Sequence, residues 1–220
     1  IIAGFLLTAV PNWTGRPPLM GWRLGVLAVV WLAGRVVVAL SLWMPWGVSA
    51  GIDLAFPILL GAVILREIVA GRNWKNLVIL ILLAAFTLAN GLFHLNAVMG
   101  EVAAQGIGLR LGLAAAVMLI ALIGGRIVPS FTRNWMAKRG ARLLPAAYNK
   151  VDAAILTISA LGLAAWVVLD PGQIVGAALI LAGGLNLVRL ARWRGYATSA
   201  EPLVTILHIA YAWAAAALLL

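Results

Sequence analysis

The chain has no cysteine in its 220 residues. Disulfide staples, thiolate-held iron–sulfur clusters and a blue-copper thiolate are therefore excluded. Charge is scarce as well: Asp, Glu, Lys and Arg make up 10% of the residues, against roughly 25% in a soluble domain. Only six carboxylates occur, at six separate locations, which argues against a paired acid and base. No HExxH, no P-loop and no strand-borne GxGxxG is present, and no Ser/His/Asp set shares a depth. The longest connection has about 20 residues and is basic, too short to hold a soluble catalytic domain.

What fills the chain instead is hydrocarbon. Hydrophobic residues reach 65% and the mean hydropathy is +1.08, a composition that belongs in a bilayer. Apolar runs over 1–10, 20–44, 48–69, 74–96, 106–128, 150–169, 172–190 and 203–220 predict eight helices. The six inner runs have about the 20 residues needed to cross a hydrocarbon core. The expected fold is all-α, a polytopic transmembrane helical bundle, with residues 1–220 as a single bundle. Ile1 is not an initiator methionine and no basic segment precedes the first run, so that run is not expected to be a signal peptide. Both outer runs are short, and the chain is expected to be part of a longer membrane protein that holds some of the site elsewhere.

The net charge of +10 is distributed unevenly. Connections 11–23, 66–75, 129–150 and 189–202 carry Arg16 and Arg23; Arg66, Arg72 and Lys75; Arg133, Lys138, Arg139, Arg142 and Lys150; Arg189, Arg192 and Arg194. The alternate connections, 44–48, 97–106 and 170–172, hold no Lys or Arg, only Glu101 and Asp170. Basic residues resist translocation, so the basic connections are predicted to be cytoplasmic. The excess charge then reflects topology and contact with anionic membrane lipids, not nucleic acid, for which no motif is present.

Two of these basic ends share a vocabulary. Val10-Pro11-Asn12-Trp13-Thr14 lies on Val128-Pro129-Ser130-Phe131-Thr132 without a gap, four predicted helices apart. One reading is a helix stop with an interfacial anchor: proline ends the helix, and Trp13, Phe131 and Trp135 sit at the interface. The other is an internal repeat with both stretches lining one site.

The strings "GFLLTAVPNWTGR", "LWMPW" after Gly34-Arg35, "RNWKNL" leading to "ANGLFHL", "GGRIVPSFTRNW" and "LHIAYAW" resemble the NnrS family in the same order across essentially the whole chain. The resemblance implies a bacterial inner-membrane protein of about twelve helices that contains haem and copper and is linked to nitric oxide and nitrosative stress. It also implies His-bearing segments before Ile1 and after Leu220.

Only two histidines occur, His94 and His208, each in an apolar run. A lone intramembrane histidine is more often an interhelical hydrogen bonder. The resemblance makes both expected metal ligands, since imidazole is the usual haem ligand and a frequent copper ligand. His94 lies near the outer end of its run with Asn90 on the same face. His208 lies nearer the inner end, with Tyr211 one turn on beside the expected cofactor. A depth difference of about 20 Å at 1.5 Å per residue would keep them from sharing one iron. Met99 could join His94 at copper, although methionine in apolar sequence is more often packing.

Arg35, mid-run, costs at least about 2.5–3.5 kcal/mol to insert. Either Asp53, at similar depth, compensates it, or a haem propionate does, which would place Arg35 in the cofactor site. Asn90 and Asn186 are expected to hydrogen-bond between helices. The function expected is a haem-binding, copper-associated membrane protein that binds, senses or protects against nitric oxide or a related small gas. No continuous chain of ionisable groups would deliver protons, so binding is expected ahead of turnover. The competing reading is a secondary transporter, for which the repeat and Gly/Pro-rich runs speak. Homo-oligomerisation stays open.

Overall fold

The computed structural model describes residues 2–100, 102–103 and 106–219. Glu101, in the short acidic connection, lies outside the described residues, as do Ile1 and Leu220 at the ends. The fold is all-helical: α1 Ile2–Thr14, α2 Trp22–Ala39, α3 Trp46–Ala70, α4 Leu77–Val98, α5 Ile107–Lys138, α6 Lys150–Val168, α7 Gln173–Ala191 and α8 Pro202–Ala216. Six segments, from Trp22–Ala39 to Gln173–Ala191, are long and apolar enough to cross a membrane. Hydrocarbon offers no hydrogen bonds, so a spanning segment must satisfy its backbone internally, and helix is the outcome. Pro45 precedes α3 and Pro202 opens α8, positions where a missing N–H costs nothing.

Most expected boundaries agree with these helices, but both prolines overturn the helix-stop reading. Pro129 lies inside α5, which continues to Lys138, and Pro11 lies inside α1, which continues to Thr14. A single proline removes one backbone bond and crowds the carbonyl four residues back, which for Pro129 is that of Gly125. The chain resumes helix beyond it, as membrane helices commonly do. In each case the threonine three residues on bonds back to the valine: Thr14 Oγ1 to the Val10 carbonyl at 3.0 Å, Thr132 Oγ1 to the Val128 carbonyl at 2.8 Å. The expected basic connections are correspondingly shorter. Arg66 is on α3, Arg133 and Lys138 are on α5, and Arg189 is on α7.

The chain forms two compact units, Ile1–Ala115 and Ala116–Leu220. In the first, α3 packs against α1, α2 and α4, around Leu6, Val10, Leu60, Ile64 and Ile68. In the second, α7 packs against α6 and α8, and Val128, Trp193 and Tyr211 form a buried cluster. The two rings of that cluster meet edge-on at 4.6 Å.

Each unit runs through the same order of parts. A helix with Val-Pro-x-aromatic-Thr comes first, α1 in one and the latter part of α5 in the other. The second helix after it, α3 or α7, is followed within two or three residues by an arginine with positive φ, Arg72 at 49° and Arg194 at 59°. A short 3₁₀ turn follows, closing on a buried polar residue, Asn76 or Thr198. These are the two described non-glycine residues with positive φ.

Candidate functional site

Among the described residues, each unit contains a cluster of polar side chains around one buried charge. In the first the centre is Asp53 on α3, 3% exposed. Its Oδ1 accepts from the Arg35 guanidinium of α2, so the expected Arg35–Asp53 pair is present. Its Oδ2 accepts from Asn90 Nδ2 at 2.8 Å and lies 3.1 Å from His94 Nε2, both on α4. Asn90 and His94 are four residues apart and share a helical face. Gly34 lets α3 come this close to α2: a Cβ there would lie 3.0 Å from Asp53 Oδ1.

An ionised carboxylate only accepts, so Nε2 of His94 must carry the proton and donate it. Nδ1 is then the lone-pair nitrogen, and it makes no hydrogen bond within the described residues. Carboxylate–imidazole pairs of this kind are what orient metal-binding histidines. Arg35 is half exposed and spends one nitrogen on Asp53, leaving further N–H groups for another acceptor.

The second cluster is centred on Arg189 of α7, which is fully buried. Its Nε donates to Asp152 Oδ1 at 3.0 Å, and its Nη1 donates to the Ala121 carbonyl at 2.9 Å and Tyr211 Oη at 3.0 Å. Tyr211 donates onward to Asn186 Oδ1 at 2.7 Å, and Asn186 Nδ2 donates to Ser159 Oγ at 2.8 Å. Asp152 also caps α6: its Oδ2 accepts the Asn149 N–H while Asn149 accepts the Val151 N–H. Asn90 and Asn186 thus both bond between helices as expected.

His208 and Tyr211 share α8 but serve different contacts. Thr132 spends its hydroxyl proton on the Val128 carbonyl, so at 2.8 Å it accepts from His208 Nε2. The other nitrogen, Nδ1, is buried and faces Gly195, where a Cβ would lie 2.6 Å away. Nδ1 of His208 has no hydrogen-bond partner but is closely approached by Gly195, and the Tyr211 hydroxyl is used twice within the protein. Met99 caps α4 and is largely exposed. Among the described residues, no three His, Asp or Glu side chains gather where they could hold a metal ion.

Sequence reasoning places Arg189 in a basic connection and passes over Asp152. Two signals are available for them. Asn149-Lys-Val-Asp152 before an apolar run has capping-box spacing. Asn186 and Arg189, three apart, share one face of α7. Close packing shows how tightly the guanidinium is held, since a methyl on Gly125 would overlap it. Gly125→Ala should therefore lower the Tm in detergent, by about 1–3 kcal/mol of overpacking. Gly184→Ala, with open space around it, should leave the Tm unchanged or raise it; equal losses at both sites would disprove the packing argument.

Six apolar spans among the described residues, with buried charges such as Asp53 and Arg189 paired across helices, define a polytopic integral membrane protein. Within that class, the family model for NnrS protein matches residues 1–220. The chain belongs to the NnrS family, and so is a membrane protein associated with the nitric oxide response. No curated protein and no solved structure matches it.

Proposed function

We propose that this protein binds haem at the Asp53 cluster and through it meets nitric oxide or a related small gas. The observation that carries the reading is His94: an imidazole held through Nε2 by a buried carboxylate, with no hydrogen bond at Nδ1 among the described residues. The donor set favours haem over a bare copper ion. Haem brings four nitrogens of its own and needs one or two from protein, whereas copper alone would find a single imidazole at this cluster. A copper site would need ligands beyond it.

Bound there, haem would supply an iron with a coordination position for the gas. The chain's own groups do the holding. Asp53 fixes the orientation of the His94 ring. Arg35 offers its remaining N–H groups to a carboxylate of the cofactor. His208, with Nε2 bonded to Thr132 and Nδ1 against Gly195, has less room for a ligand's iron than His94 does.

Absorbance of the purified protein tests this. Gln keeps a donor for Asp53 but is a poor ligand, so His94→Gln should abolish or shift the Soret band while His208→Gln leaves it in place. An unchanged band in His94→Gln, or a colourless wild-type protein, overturns the reading.

The site is further proposed to lie in a bacterial inner membrane with the basic connections cytoplasmic. A reporter fused at Gly140 should then be active in the cytoplasm, and one at Glu101 in the periplasm. The opposite pattern would reverse the topology.

A further inference from the structure

A pocket of about 290 Å³ opens where the α1–α2 connection meets α2 and α3, and Arg16, Arg23 and Arg66 all line it. The carboxylate in its lining, Glu67, is paired with Arg16 at 2.6 Å. Arg23 and Arg66 carry no ion pair among the described residues, and Arg23 lies over the exposed ring of Trp22 at 5.6 Å. Three guanidiniums against one carboxylate leave a positive pocket with two arginines unspent. Arginine's fork of donors suits phosphate oxygens.

A second, apolar groove of about 350 Å³ begins at the same residues. It shares Leu19, Trp22, Arg23 and Arg66 with the first pocket, and runs on between α2 and α3 past Val26, Leu59 and Val63. A cationic pocket continued by an aliphatic groove along two spanning helices has the polarity of a phospholipid, phosphate first and acyl chain behind. Trp22, at the junction, is a residue type that favours the interface.

The geometry points to a binding site for one anionic phospholipid: its phosphodiester lies against Arg23 and Arg66, and an acyl chain lies in the α2–α3 groove. A zwitterionic lipid brings its own cation to the pocket and is disfavoured. A free phosphate would use the arginines and leave the groove empty.

Native mass spectrometry of the full chain, extracted in detergent with equal phosphatidylglycerol and phosphatidylcholine, tests this. One phosphatidylglycerol should be retained, about tenfold in preference to phosphatidylcholine. Arg23→Gln/Arg66→Gln should bring the two lipids to parity. Ala62→Trp should fill the groove and lower retention with every charge intact. All three positions are exposed, so the variants should fold, and an unchanged Tm checks that they do. Excess inorganic phosphate should not displace the lipid. Parity in the wild type, retention unaffected by either variant, or displacement by phosphate would each overturn the site, the last leaving a small-anion pocket.

Discussion

Asp152→Ala is expected to destabilise the protein by about 3–5 kcal/mol, enough to abolish recovery of folded material. Asp152 is the carboxylate paired with the fully buried Arg189, at 3.0 Å. Its other oxygen accepts the backbone N–H of Asn149 and faces Arg192 Nη1 at 3.3 Å. Removing it strands a guanidinium away from water and takes away the Asp152 half of the α6 capping box in one step. Arg192 is partly exposed, so Arg192→Ala should cost under about 1 kcal/mol. Asp152→Ala/Arg189→Met should recover much of the loss, because no buried charge is left behind. Thermal denaturation in detergent reads all three. A small loss in Asp152→Ala, or no recovery in the double variant, would mean the pair does not hold the second unit together.

That pair also marks where the sequence stops being informative. The spans are legible because hydropathy and length alone decide what crosses a bilayer. Arg35–Asp53 is legible because a charge at mid-span demands a partner and few carboxylates are on offer. Arg189 carries the same charge near a helix end, where a cation needs no excuse, so nothing in its type distinguishes an inward-turned guanidinium from a loop residue. Pro129 misleads for a related reason: as a stop signal it holds for soluble helices, but hydrocarbon makes leaving the helix costlier than losing one bond. The histidines show the limit of residue chemistry. Both are imidazoles in apolar helices. What each ring meets depends on neighbours far away in sequence: Asp53 at Nε2 of His94, and Thr132, 76 residues off, at Nε2 of His208, whose Nδ1 Gly195 crowds.

Asp53→Ala should separate holding the fold from holding a cofactor. The substitution removes the shared acceptor of Arg35, Asn90 and His94. Arg35 is half exposed and can turn its head toward water or lipid headgroups, so part of the loss is relieved. What remains is two unpaired donors on α4, about 1–3 kcal/mol together. Arg35→Ala/Asp53→Ala should therefore yield as much folded protein as Asp53→Ala, or more, since no guanidinium is left without its anion. Haem content should not follow yield. Without Asp53 the His94 ring loses the contact that fixes its orientation, which typically costs about 10–100-fold in metal affinity, and the double variant loses the Arg35 contact as well. Folded protein recovered while the Soret band stays weak would assign Asp53 to positioning His94. A band that recovers in step with yield would make the whole cluster structural and remove the basis for placing haem there.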